Sequence, residues 1–455
     1  MKKFSFILLM LFFILPVVAR AGGPFFVEGE NRMGVPLQWL DDKLIWVNDI
    51  GPLGSSVSNE TALGWVRAAM DRWANTTFRG IDTVDVSHEE SGSLDEDFTT
   101  LEDIELYFEN NPDFVGALII FDENGSILQE LGFNTDPNAG KIVALTAILA
   151  ADESGTKITQ GIIVLDGTFL DFLGTMTNAK EVFRAALLHE IGHLYNLDHS
   201  QVNLDLAEAC ELGATCDGGG NIPTMFPELK TYRQNYPISD DEITLSWIYP
   251  TEEFLEKFCI ITGEILDNAE QPLQGVNVFA RAASGTQDPV VDRRSMVTGS
   301  LYPACTADGH YYLWGIIPGK DYVVEYEPLS EQYSAESGFE PLSGMEGIPL
   351  PPTGFESAVI SKGDDTTVRC ENGGDVITMD NVQLEVANPC SELAQPGGGP
   401  DLGSGSVFGG AEKSGCSLMS EQTTFNIFNI ALGASAALIV IMAVRRRRRL
   451  RKCRS

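Results

Sequence analysis

Eleven residues near the middle of the chain leave it little freedom in how to fold. They run from His189 to His199 in the pattern H-E-x-x-H-x-x-N-x-x-H, and they hold three of the five histidines in 455 residues. The surrounding stretch, KEVFRAALLHEIGHLYNL, reads as a long helix. On a helix His189 and His193 project from one face, one turn apart, so both rings can reach a single ion. For His199 to join them, the helix must stop and the chain must turn sharply near residue 196. A residue at such a turn adopts the left-handed conformation, which glycine reaches without steric cost and asparagine tolerates next best. Asn196 therefore suits the turn, with a slight loss of stability expected relative to glycine.

Three neutral imidazoles and an open position are the donor set of a catalytic zinc ion. Glu190 adjoins the first ligand, where it can take a proton from a zinc-bound water and pass it to a departing amine. The expected metal ligands are His189, His193 and His199, and the expected catalytic residue is Glu190. The expected chemistry is peptide hydrolysis.

The two ends differ from the middle. Residues 1–21 carry Lys2 and Lys3, a long apolar run and Ala19-Arg20-Ala21, the make-up of a secretory signal peptide cleaved after Ala21. Residues 425–444 form a second apolar run, long enough to span a bilayer. Arg445 to Arg449 follow it, which places residues 445–455 in the cytoplasm as a basic tail. Residues 393–424 are a Gly- and Ser-rich linker. The bulk of the chain is thus expected outside the cell, at the envelope or surface, with a membrane partner for the C-terminal helix. The net charge is −35. Setting aside the eleven basic residues of the two ends leaves 19 basic against 65 acidic residues, about −46. That surface repels nucleic acid and anionic membranes, so no nucleic-acid partner is expected. Calcium (Ca2+) or basic substrates are the partners such acidity could take.

Eight cysteines are present, none between Gly22 and Ala209. In an exported chain they should pair. Cys210 with Cys216 would close a small loop. Cys259, Cys305, Cys370 and Cys390 form an even set whose connectivity the sequence leaves open. Cys416 and Cys453 flank the apolar run.

Residues 22–250 read as one α/β (α+β) unit. QWLDDKLIWVND is expected to open it as a strand. A helix is expected over residues 59–76, capped by Ser58 or Asn59. ALIIFD and ITQGIIVLDG read as short strands. GKIVALTAILA reads as a strand that is either an edge pairing with substrate backbone or an interior one. Ser239 and Glu242 have capping-box spacing for a further helix. Over residues 257–392 helical periodicity gives way to short alternating strands between Gly and Pro turns, which points to an all-β sandwich. His310 there reads as a surface or structural residue.

The histidine stretch resembles the metzincin metalloproteases, whose motif is H-E-x-x-H-x-x-G-x-x-H followed by a Met-turn. Asn196 for glycine is the departure within it. Ile222-Pro223-Thr224-Met225 is similar to the Met-turn, which implies that Met225 lies beneath the metal as a hydrophobic floor. Ser200 after the third histidine and Phe226 after the methionine resemble the matrixin branch. So does SDDEITLSWIYP, with Asp241-Glu242 in place of a paired aspartate. The resemblance implies a twisted mixed sheet with an active-site helix, a single catalytic Zn2+ and a protein or peptide substrate. A cysteine-switch propeptide, found in many matrixins, has no counterpart here. The segment from His199 to Met225 is longer than usual, and is expected as a disulfide-closed loop at the cleft rim. Residues 257–392 resemble the carboxypeptidase regulatory-like domain. The ending around Gly415-Cys416-Ser417 resembles bacterial C-terminal sorting tails, which implies a bacterial source and a processing protease acting on the tail. The competing expectation is a catalytically inactive cell-surface binding or adhesion protein that recognises its partner through the β-sandwich.

Overall fold

The computed structural model describes residues 22–27, 35–134, 142–152, 154–173, 178–210, 216, 218–283, 291–299, 308–330 and 351–390. The fold is mixed α/β with several sheets. The expected signal peptide (1–21), the linker (393–424), the apolar run at 425–444 and the basic tail (445–455) all lie outside the described residues. Among the described residues, no helix is long and apolar enough to cross a membrane.

The first half begins with β1 (Gln38–Trp39) and β2 (Lys43–Asn48). One continuous strand was expected here. Asp41 and Asp42 instead take positive φ, 57° and 49°, in a 3-10 turn that breaks it. Helix α1 (Asn59–Ala74) follows, capped by Ser58, whose side chain accepts from Thr61 N–H. Its buried residues, Ala62, Leu63, Val66, Ala69, Met70 and Trp73, recur at the helical period and make one apolar stripe. A small hairpin, β3 (Thr77–Phe78) and β4 (Ile81–Asp82), leads to β5 (Ser87–Ser93), α2 (Leu101–Asn110), β6 (Gly116–Asp122) and α3 (Ser126–Glu130). Then come β7 (Ala144–Ala151), β8 (Lys157–Asp166), α4 (Thr168–Leu173), α5 (Ala179–Leu194) and α6 (Leu204–Glu208). Helices α7 (Ser239–Ile248) and α8 (Glu252–Lys257) close this half.

The main sheet runs β5-β2-β6-β8-β7, with β1 also on β8. Its pairs are parallel except β7 with β8, which is antiparallel. Strand β6 is buried along its whole length, because helices cover both faces of the sheet. The pleat divides its side chains. Ala117, Ile119 and Phe121 enter the core under α1 and α5, while Leu118 and Ile120 enter the core with α2 and α3. Of the two readings left open for β7, the edge holds: its one partner among the described strands is β8. The other edge, β5, is polar and exposed, as a protected edge should be.

The second half holds β9 (Cys259–Leu266), β10 (Val276–Ala282), β11 (Arg293–Val297), β12 (His310–Ile316) and β13 (Asp321–Pro328). The short β14 (Ala358–Ile360), β15 (Val368–Arg369), β16 (Val376–Thr378) and β17 (Val382–Gln383) complete it. One sheet is β11-β10-β13-β14 with β15 on β13, and the other is β12-β9-β16 with β17 on β9. Val278 and Val324 from the first share a core with Ile261, Tyr311 and Leu313 from the second. Disulfides join Cys210 to Cys216 and Cys259 to Cys370, and Cys390 is also disulfide-bonded. His310 is half-buried and pairs with Asp308 at 3.3 Å.

Helix α7 ties the halves together. Trp247 belongs to the core of the second half and stacks on Trp314 with centroids 5.9 Å apart. The expected capping by Ser239 does not occur. Ser239 is the first helical residue, and its hydroxyl reaches Val291 O across the junction. The helix start is held instead by Asp241, whose carboxylate accepts from Ile238 N–H at 2.9 Å.

Candidate metal centre

Helix α5 is apolar on almost every side, and from Ala185 to Leu194 each of its residues is buried. Two indoles fix it at carbonyls six residues apart. Trp73 Nε1–H donates to Leu188 O at 2.8 Å, and Trp39 Nε1–H donates to Leu194 O at 2.7 Å. Gly192, immediately before the second histidine, leaves room for the Met225 sulfur. A Cβ at residue 192 would strike that sulfur and come within 3.0 Å of Trp73.

The helix ends where His199 requires it. Asn196 has φ of 75°. Its N–H donates to His193 O at 2.9 Å, and Leu197 N–H reaches back to Gly192 O at 3.0 Å. That pair of bonds is the Schellman ending. The asparagine side chain does more than tolerate the turn. Its Nδ2 donates to Phe26 O and Leu37 O, both at 2.8 Å, and its Oδ1 accepts from Phe26 N–H at 2.7 Å. Asn196 thereby fastens the 22–27 segment beside the metal centre. The sequence alone suggests a slight loss relative to glycine, but glycine would forfeit all three bonds.

The turn brings the three histidines together. Ring centroids lie 4.6 Å apart for His189 and His193, 4.7 Å for His193 and His199, and 5.1 Å for His189 and His199. Their ligand atoms lie within 4.8 Å of one another, the one such group of His, Cys, Asp or Glu among the described residues. His189 Nδ1 meets Thr224 O at 2.7 Å, and His193 Nδ1 meets Leu197 O at 2.8 Å. A carbonyl only accepts, so each Nδ1 carries the proton and each Nε2 presents a lone pair. His193 Nε2 lies 3.1 Å from His199 Nε2, and His189 Nε2 is buried without a hydrogen-bond partner. Burial holds all three imidazoles below their usual range, His193 down to about 4. They are neutral at pH 7, the form that ligates metal. Three converging neutral imidazoles, two of them oriented by carbonyls, fit a metal such as zinc.

Glu190 is fully buried next to His189, and its own carbonyl accepts from Thr146 of β7 at 3.2 Å. Met225 is buried beneath Gly192, and its carbonyl accepts from Ser200 N–H at 2.8 Å. Two acidic residues complete the surroundings. Asp241 accepts from Thr224 N–H at 2.8 Å and Met225 N–H at 3.1 Å, and burial raises its pKa to about 7. Asp240 accepts from the Ser200 hydroxyl at 2.5 Å. The buried acidic pair is thus Asp240-Asp241, one residue earlier than the pair expected from SDDE. Glu242 lies on the other side of the helix start, lining a cavity of about 280 Å3 with Arg79.

No family model matches the chain, and no curated protein matches it. Among solved structures it is similar to the dioxygenase domain of a dioxygenase–carbohydrate-binding protein fusion from Streptomyces sp. SirexAA-E. That match has 16% identity over 30% of this chain and 85% of that one, with a TM-score of 0.17. It is similar to catechol 1,2-dioxygenase from Pseudomonas arvilla C-1 at 12% identity, over 31% of this chain and 55% of the other, TM-score 0.15. It is also similar to catalytically inactive OgpA from Akkermansia muciniphila, solved with an O-glycopeptide substrate, at 10% identity over 64% and 90% of the two chains, TM-score 0.21. Superpositions this partial establish neither a shared fold nor a shared chemistry.

Proposed function

We propose that this chain is a zinc-dependent endopeptidase of the matrixin-like metzincin kind, exported and held at the cell envelope by its C-terminal apolar run. The observation that carries the reading is the convergence of His189, His193 and His199, neutral and oriented by carbonyls, on the helix that also bears Glu190. These three residues would hold the ion. Bound there, zinc supplies Lewis-acid polarisation of a substrate carbonyl. Glu190 takes the proton of the attacking water and delivers it to the leaving amine. The edge of β7, which has no second partner among the described strands and is tied to α5 through Thr146, offers backbone groups to an extended peptide. The purified protein should cleave a mixed peptide library, stop on chelation and recover with added zinc. Cleavage that survives exhaustive chelation would refute the reading.

One observation favours a second reading. His189, Glu190 and His199 are wholly shielded from solvent, which suits a metal held for structure in a cell-surface binding protein. In that case zinc would bind, no peptide would be cut, and removing the metal would lower stability alone.

A further inference from the structure

The two residues that follow the third ligand are both tied to the second half of the chain, Ser200 by way of Asp240 on α7 and Gln201 directly. Ser200 donates its hydroxyl to Asp240 Oδ2 at 2.5 Å. Asp240 Oδ1 in turn accepts the backbone N–H of Ser295, on β11, at 2.5 Å, and the Ser295 hydroxyl lies 3.2 Å from both carboxylate oxygens. Gln201 is held directly. Its Oε1 accepts Ser330 N–H at 2.9 Å and its Nε2 donates to Ser330 O at 3.3 Å. Ser330 follows β13. Ser200, Gln201 and Asp240 are all at least 97% buried, so water cannot replace these partners at little cost.

Strand β11 is anchored just before its start as well. Asp292, fully buried, pairs with Arg294 at 2.6 Å and, across the junction, with Arg79 at 3.2 Å. The 22–27 segment is packed into the same place. Gly22 N–H donates to His199 O, and a Cβ on Gly22 would lie 3.2 Å from the Ser295 hydroxyl. His189 and His193 are placed by the helix itself. His199 has no helix around it, and its Nδ1 has no hydrogen-bond partner. Its position depends on what holds its main chain and the residues after it.

We infer that the β-sandwich is a positioning component of the metal centre: through Ser295–Asp240–Ser200 and Ser330–Gln201 it fixes the turn that presents His199. Asp240, Ser295 and Gln201 are positioning residues, not ligands. The inference rests on the metal-binding reading above and adds that the second half, which supplies no ligand among the described residues, sets the geometry of the third. It implies that the ligand set of residues 189–199 binds metal weakly when the docking of β11 and β13 is disturbed.

The test uses the full chain loaded with Co2+, whose visible absorption reports ligand geometry. Metal retention against a competing chelator and the Co2+ spectrum are measured for wild type, Asp240→Ala, Asp240→Asn, Ser295→Ala and Gln201→Ala, with folding checked by circular dichroism. Loss of a supporting partner behind a ligand costs roughly tenfold or more in metal affinity. Asp240→Ala and Gln201→Ala should each lose Co2+ about tenfold more readily and shift its absorption band. Asp240→Asn, which keeps an acceptor for Ser295 N–H, should recover most of the wild-type affinity. Where Asp240→Ala does not fold, Gln201→Ala and Ser295→Ala carry the comparison. Folded variants with wild-type affinity and an unchanged spectrum would overturn the inference while leaving the metal site standing. A wild type that holds no Co2+ would overturn the metal reading, and this inference with it.

Discussion

Replacing Asn196 with glycine should destabilise the protein, although glycine is the residue best suited to the left-handed turn. The φ of 75° is free for glycine and inexpensive for asparagine. The backbone therefore gains little from the change. The side chain loses its three bonds, to Phe26 N–H, Phe26 O and Leu37 O, from a wholly buried position. At about 1 kcal/mol net for each bond the loss is about 3 kcal/mol. The extra freedom of glycine in the unfolded chain adds about 0.5–1 kcal/mol. For a unit of this size the total of about 3.5–4 kcal/mol lowers the melting temperature by roughly 7–16 °C. Asn196→Ala loses the same bonds and also meets the steric cost of the left-handed region, about 1–2 kcal/mol, so it should melt lower still. Melting of the three proteins, followed by circular dichroism at one pH and one zinc concentration, gives the order wild type, glycine, alanine. A glycine variant as stable as wild type would refute the reasoning, since the side-chain bonds would then contribute nothing beyond what the turn needs.

Asp49 should make stability fall as pH rises. Burial, with Asp97 and Asp122 nearby, pushes its carboxyl from 3.8 up to about 8, so between about pH 4 and 8 the folded state keeps a proton that the unfolded state gives up. Its contribution is full below about pH 4 and is lost as pH climbs toward 8, and Asp49→Asn should flatten the decline between pH 5 and 8 by about 1–3 kcal/mol; parallel urea-unfolding curves for the two proteins would contradict this. Removing both cysteines of the Cys259–Cys370 bridge, which closes a loop of 111 residues, should cost about 4–5 kcal/mol, against about 2 kcal/mol for Cys210–Cys216 with its separation of 6. Equal urea midpoints for the two double variants would count against that ordering. Gly192→Ala should cost about 1–3 kcal/mol by driving a methyl group into Met225, and a variant that melts with wild type would show that the Met225 side chain is not fixed there.

What the sequence disclosed was what local spacing controls. The period of α1, the buried run of β6 and the end of α5 at residue 196 all follow from neighbours within a few positions. So does the convergence of two histidines on one helix face. What it concealed depends on partners far along the chain. Asn196 reads as a tolerated turn residue because its bonds to Phe26 and Leu37 span 170 and 159 positions. Asp241-Glu242 looks as good a pair as Asp240-Asp241 in sequence, because only the fold shows which carboxylates point inward, though the adjacent acids of SDDE are a usable signal. The break between β1 and β2 was hidden because Asp41 and Asp42 carry no glycine-like mark of their left-handed backbone. Spacing alone left β7 open as edge or interior, since sheet order is set by packing across distant segments.

In the proposed function, Glu190 acts on a substrate held at a three-histidine zinc site. The most direct measurement places wild type beside Glu190→Ala, counting zinc per chain by mass spectrometry and following cleavage of the same peptide library. The account predicts about one zinc in each protein and cleavage by wild type alone. Equal cleavage by both, or no stoichiometric zinc in either, would contradict it.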